Sequence, residues 1–199
     1  DLRARAWLKQ QCAPAALAVR EDAVGNTFAR WTGSEPDLPP VATGSHIDAI
    51  PNAGAYDGTV GVLGGLEAIR ALGRAGFRPR RSIELIVFTA EEPTRFGIGC
   101  LGSRLMAGAL DPSAGGVLRD PAGTLDDWRQ RAGFAGPLDG VRLAAGAYSA
   151  FLELHIEQGP LLDRAGHDIG IVDAIAAPAT LRILIHGVGG HAGAVLMPG

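Results

Sequence analysis

The chain has 199 residues, 47% of them hydrophobic and 20% charged, so it can bury a core and does not have the composition of a disordered segment. Its formal net charge of -3, with no basic stripe, argues against a nucleic-acid binder, and no apolar run reaches the ~18 residues of a membrane span. Two cysteines, Cys12 and Cys100, give no disulfide framework, which points to a reducing, cytoplasmic setting.

Asp1 to Gln11 is predicted to be a helix. Leu17 to Glu21 and Asn26 to Trp31 follow as strands around a Gly25-Asn26 turn. Residues 33–40 (GSEPDLPP) are a loop by composition. Val41 to Ser45 is a short strand that delivers His46 at its end. Residues 50–58 form a Gly/Pro/Asn loop closing on Asp57-Gly58, and a helix then runs to about Leu72, with Val62, Leu66, Ile69 and Leu72 on one face. Ser82 to Thr89 (SIELIVFT) is almost continuously apolar, as a central strand covered on both faces should be.

Glu91 and Glu92 follow that strand directly. A helix is expected from Ser103 to Leu110, and another from Thr124, with Asp127 three residues on as a capping-box variant. Phe151 to Ile156 reads as a strand with Glu153 and His155 on one face, and Asp168 to Val172 as a further short strand. After Asp173 the texture changes. Leu181, Ile183 and Ile185 alternate as in a strand, and a glycine cluster surrounds His191. This reads as the start of a second domain. The chain opens inside a helical pattern and stops within GHAGAVLMPG, so both ends read as cut.

Strands alternating with helices predict an α/β fold with a mixed, largely parallel sheet flanked by helices. Ligands in such sheets gather at the carboxyl ends of strands. His46, Glu91 and Glu92 are predicted at such ends, Asp57 in a loop after one, and His155 near the end of its own strand.

Two histidines and several carboxylates offer the mixed nitrogen and oxygen donors that divalent metals take. Asp48, two residues after His46, can hold the second imidazole nitrogen and fix its tautomer. Asp57 lies among small residues; it could bridge two metals, or simply cap the helix that follows. Glu91 and Glu92 are adjacent acids straight after a buried strand, which repel each other and lose solvation unless cations are present. One of the pair can bind metal and the other serve as a general base. His155 could be a core histidine, but Gln158 and Gly159-Pro160 suggest the mouth of a polar site. His191, in GVGGHAGAV, could sit in a plain turn or donate a hydrogen bond to a developing oxyanion.

The segments GSHIDAIPNAGAYDGTVGVLGG, FTAEEPTRFGIGCLGSR, LELHIEQGPLL, GIVDAIAAPATL and GGHAGAVLMP together resemble the dinuclear-metal amidohydrolases of the M20 peptidase superfamily. The resemblance covers nearly the whole chain, in the family's order. The histidine of HIEQGP stands where the peptidases usually place an acid. That choice is similar to the hydantoinase/carbamoylase branch, which holds ureidoglycolate, allantoate and N-carbamoyl-amino-acid amidohydrolases. The forms PTRFGIGCLGSR, HIDAIP and GHAGAVLMP look most like the ureidoglycolate-cleaving subfamily.

The resemblance implies roles residue by residue. His46, Asp57 and His155 would hold one metal, with Asp57 bridging to a second held by Glu92. Glu91 would be the general base, Asp48 would support His46, and Gln158 would contact substrate. Residues 1–173 would be a catalytic domain incomplete at both ends, and 174–199 the beginning of an α+β lid and dimerisation domain. His191 of that lid would reach the active site of the other subunit in a homodimer.

The implied cofactors are two divalent ions, Mn2+ or Zn2+, with manganese favoured. The implied partner is a small ureido-carboxylate: ureidoglycolate, cleaved to glyoxylate, ammonia and carbon dioxide, with allantoate or an N-carbamoyl amino acid as alternatives. A binding module that keeps the fold without turnover is the reading from another class. The family's last metal ligand, and the asparagine and arginine that grip the substrate carboxylate, lie further downstream than Gly199. The 199-residue piece alone is therefore expected to be inactive.

Overall fold

A computed structural model describes residues 1–176, 181, 183–191 and 193–194, which fall into two compact units, Asp1–Gln158 and Gly159–Gly199. In chain order the first unit contains α1 (Leu2–Cys12), β1 (Ala18–Glu21), β2 (Thr27–Trp31), β3 (Val41–His46), α2 (Thr59–Arg74), β4 (Ile83–Phe88) and α3 (Leu101–Met106). It continues through α4 (Ala114–Val117), the two-residue strands β5 (Arg119–Asp120) and β6 (Gly123–Thr124), α5 (Leu125–Arg131) and β7 (Ala150–Leu152).

The five long strands form one mixed sheet in the order β1-β2-β4-β3-β7. β1, β2 and β4 are antiparallel, while β3 runs parallel to β4 on one side and to β7 on the other. The parallel half sends the carboxyl ends of β3 and β4 to the same edge, with His46 paired to Phe88.

The apolar run at 82–89 becomes β4 because both faces of the sheet are covered. Leu85 and Val87 pack with Leu8 and Cys12 of α1 and with Val62, Leu66 and Ile69 of α2. Ile86 points the other way, into Phe28, Leu101, Leu105, Met106, Leu125 and Val141. Each fully buried aliphatic side chain of this kind is worth about 1.5–3 kcal/mol over its exposed state. Leu72, expected on the buried face of α2, is instead exposed.

A second, polar set is also buried. Arg5, Asn26 and Thr27 are all nearly inaccessible to solvent. Asp22 folds the β1–β2 turn, its Oδ1 accepting from the Val24 and Asn26 amides. Burial pulls the Arg5 guanidinium down from its ordinary value, and the charges of Glu21, Asp48 and Asp22 oppose that shift.

Several boundaries differ from expectation. β7 ends at Leu152, so Glu153 and His155 lie in extended chain beyond the sheet. α3 starts at Leu101 and stops at Met106, two residues before Gly108 takes a left-handed conformation. The capping box on α5 forms: the Thr124 hydroxyl accepts from the Asp127 amide, and the Asp127 carboxylate accepts from the Thr124 amide. In the second unit α6 (Leu161–Ala165) is closed by Gly166 at φ 69°. Asp168 to Val172 forms no strand. The strand expected around 181–185 includes Arg182, which lies outside the described residues. Among the described residues no helix is long and apolar enough to cross a membrane.

Candidate metal centre

His46 ends β3 and is 3% exposed, while Asp57 reaches it from the loop before α2 and His155 from the chain after β7. Their ligand atoms all lie within 4.8 Å of one another. The His46 Nε2 is 3.8 Å from Asp57 Oδ1, and the His155 Nε2 is 3.3 Å from the same oxygen. The two imidazoles stack, 6.1 Å between centroids.

Both rings are oriented by backbone carbonyls. His46 Nδ1 lies 2.9 Å from the Asp48 carbonyl oxygen, and His155 Nδ1 lies 3.0 Å from that of Ile156. A carbonyl can only accept, so each Nδ1 is a donor, and Nε2 is the ring nitrogen turned towards Asp57. Two ring nitrogens aimed at one carboxylate oxygen form a donor set that fits a divalent ion.

Asp57 does not cap α2. Gly58 is the N-cap, with no side-chain cap bond. The Asp57 carboxylate turns to the histidines instead, and its Oδ2 accepts from Gln158 Nε2 at 3.0 Å. Gly58, at φ 65°, permits this packing, since a Cβ there would lie 2.5 Å from the His46 ring. Gln158, expected at the substrate, therefore also steadies Asp57.

The Asp48 carboxylate differs from its expected role. It stands 3.9 Å from His46 Nδ1, and its two oxygens accept from the Glu91 and Glu92 amides at 3.2 and 3.0 Å. The carbonyl of Asp48 fixes the tautomer, and its side chain holds the acidic loop.

Glu91 places Oε2 3.6 Å from His46 Nε2. Its Oε1 accepts from the Cys100 thiol at 3.2 Å, and its carbonyl accepts from the Cys100 amide at 2.6 Å. Burial, together with the bond to Glu91 and that residue's charge, pushes the Cys100 thiol up to about 11, so it remains a protonated donor at neutral pH. Nothing in the sequence marked Cys100 for this part.

Glu92 lies outside the three-residue cluster. Burial first, and then the charges of Glu91 and Asp57, hold its carboxyl above the ordinary value, while His46 opposes the shift. Such mutual repulsion among acids is what a bound cation relieves. Of the five non-glycine residues with positive φ among the described residues, Ala90, Cys100 and Gln158 flank this site. Backbone held in sparsely populated regions persists where the surroundings over-determine it. His191 belongs to the second unit, where its Nδ1 accepts from the Gly193 amide at 3.1 Å.

The loop after Glu92 is clamped further out. Arg95 donates to Asp120 at 2.6 Å and lies 3.8 Å above the Trp128 ring, whose Nε1 also donates to Asp120. The bond from Trp128 and then those from Arg95 and the Ala122 amide depress the Asp120 carboxyl to about 2. A depressed folded-state value means the clamp is complete above the ordinary carboxyl value of 3.8 and is lost as pH falls towards 2. The Trp128 indole proton resonance should therefore titrate with a midpoint near 2, and a midpoint near 3.8 would show that Asp120 is not so held.

Residues 42–192 match Peptidase family M20/M25/M40. The whole chain aligns at 57% identity with 43% of a ureidoglycolate hydrolase from Arabidopsis thaliana, and at 55% with 42% of one from Oryza sativa subsp. japonica. The chain thus spans less than half the length of these relatives. Among solved structures, a crystal structure of AtUAH in complex with glyoxylate superposes with a TM-score of 0.80 at 55% identity, over 83% of this chain and 41% of that one. A family match over most of the chain, on a mixed sheet that gathers two histidines and an aspartate at its carboxyl edge, establishes that this chain belongs to peptidase family M20/M25/M40.

Proposed function

We propose that the protein of which this chain is part is an amidohydrolase that cleaves the ureido C–N bond of a small carboxylate. Ureidoglycolate, giving glyoxylate, ammonia and carbon dioxide, is the favoured substrate. The observation that carries this reading is Glu91 Oε2 standing 3.6 Å from His46 Nε2, at the rim of the His46–Asp57–His155 cluster. The ureidoglycolate hydrolases it resembles direct the choice of substrate. Allantoate is the first alternative and an N-carbamoyl amino acid the second.

His46, Asp57 and His155 would hold one divalent ion, with Asp57 bridging to a second on Glu92. Bound there, Mn2+ or Zn2+ would polarise the ureido carbonyl and acidify water. Glu91 takes a proton from water at its carboxylate and passes it to the leaving nitrogen. Asp48 keeps the Glu91 and Glu92 backbone in place, and Gln158 keeps Asp57 turned inward while facing substrate. His191, on the lid that residues 174–199 begin, would reach a second copy's site in a homodimer and donate to the oxyanion. The free thiols of Cys12 and Cys100 accord with a reducing, cytoplasmic setting.

The test is ammonia release by the full-length protein from ureidoglycolate, allantoate and N-carbamoyl amino acids, each with manganese or zinc. We expect release from ureidoglycolate to exceed the others by about tenfold or more in kcat/KM, since a site built around one substrate's polar groups rejects analogues strongly. Preference for another ureido acid would move the substrate and keep the chemistry. No release from any of them, with metal bound, would overturn the amidohydrolase reading in favour of a peptidase or a binding module.

A further inference from the structure

Thr89, the first residue after β4, is gripped at three points. Its amide donates to Asn26 Oδ1 at 2.9 Å, its carbonyl accepts from the Gly102 amide at 2.9 Å, and its hydroxyl accepts from Arg5 Nη2 at 3.2 Å. Both side chains that hold it are themselves fixed. Arg5 donates to the Gly25 carbonyl at 2.5 Å, to Thr27 Oγ1 at 3.2 Å and to Asp1 at 2.8 Å. Asn26 donates through Nδ2 to Asp22 at 2.8 Å and to the Gly102 carbonyl at 3.3 Å, and it has no solvent exposure.

Beyond Thr89 the chain must turn sharply. Ala90 sits at φ 49°, a conformation an alanine seldom holds unaided. Its carbonyl accepts from the Leu101 amide, and Glu91 follows at once. The direction in which Glu91 leaves the backbone is therefore set at residues 89 and 90. Fully satisfied buried polar networks rigidify what they touch, whereas apolar packing would serve stability as well or better. This network is aimed at one loop.

We propose that Arg5 and Asn26 are positioning residues for Glu91, acting through Thr89 from the opposite end of the sequence. The proposal rests on the reading of Glu91 as general base given above. Misplacement of a reacting group by about 1 Å can cost about 10²-fold in rate.

The experiment uses the full-length protein loaded with manganese. Thr89→Val removes the hydroxyl that Arg5 holds while keeping a β-branched side chain, Thr89→Ser restores it, and Asn26→Ala removes the acceptor of the Thr89 amide. With ureidoglycolate, Thr89→Val and Asn26→Ala should lower kcat by about 10–100-fold with KM and metal content little changed. Thr89→Ser should recover to within about threefold. Native-state hydrogen exchange gives a reading that needs no substrate. The Glu91 and Glu92 amides should exchange about tenfold faster in Thr89→Val, while Leu85 and Val87 keep their protection.

Unchanged kcat and unchanged exchange at 91–92 would overturn the proposal. Loss of protection throughout the sheet would overturn it too, since it would show a general stability role. If wild-type protein releases no ammonia from ureidoglycolate, the substrate reading has failed, and the exchange measurement alone then decides the positioning role. Should Asn26→Ala fail to fold, the Thr89 pair still decides it.

Discussion

Glu91→Gln in the full-length protein is expected to lower turnover of the ureido substrate by about 10²–10⁴-fold, the usual worth of a positioned general base. Glutamine keeps the shape of the side chain and an acceptor oxygen for the Cys100 thiol, which lies 3.2 Å from Glu91 Oε1. It cannot take a proton from water. The three residues that gather their ligand atoms within 4.8 Å do not include Glu91, so metal content should be unchanged. Measuring kcat beside metal stoichiometry separates the possibilities. Turnover within about threefold of wild type would remove Glu91 as the base. Loss of metal together with turnover would make Glu91 a ligand.

Gly44→Ala should destabilise the protein by at least about 3 kcal/mol, a large share of the 5–15 kcal/mol by which domains are stable. Gly44 lies in β3 between β4 and β7, at φ 152°, paired with Ile86. A Cβ built there would stand 1.8 Å from the Ile86 carbonyl oxygen. A Cβ is fixed to the backbone, so no rotamer relieves the clash, and the two strands would have to part where Ile86 anchors the core. His46, two residues on, would move with β3. Equilibrium unfolding in urea measures the loss. A change below about 1 kcal/mol would mean that β3 and β4 do not pair in this register.

The features read correctly in advance share one property: their cause is local. SIELIVFT announces a strand buried on both faces because eight neighbouring residues carry the signal, and β4 occupies Ile83–Phe88. Thr124 and Asp127 announce a capping box because its two bonds span three residues, and both form. The helix after the Asp57 loop follows from Val62, Leu66 and Ile69 recurring on one face, all buried. His46 at a strand end is likewise a matter of one short apolar segment and its stop.

What proved illegible depended on partners far along the chain. The Asp57-Gly58 sequence looks like a helix cap at close range. The competing claim on its carboxylate comes from His46, from His155 and from Gln158, 101 positions away. Asp48 sits beside His46 in sequence, yet its carboxylate goes to amides 43 and 44 positions downstream. The period of two that suggested a strand through Ile156 gave way because β7 pairs with β3 only as far as Leu152. Asn26 read as a turn residue and Arg5 drew no reading of its own, because the loop they hold is 63 and 84 positions distant.

By itself, then, the sequence determined the fold class, the chain order of the five strands of the main sheet, and the histidines and acids that offer metal-binding chemistry, since apolar periodicity and donor type are properties of neighbouring residues. Only the tertiary structure decided which carboxylate faces which imidazole, which ring nitrogen turns to Asp57, and which buried groups hold Glu91. Those outcomes are competitions among donors and acceptors that become neighbours only when the sheet closes and water is excluded.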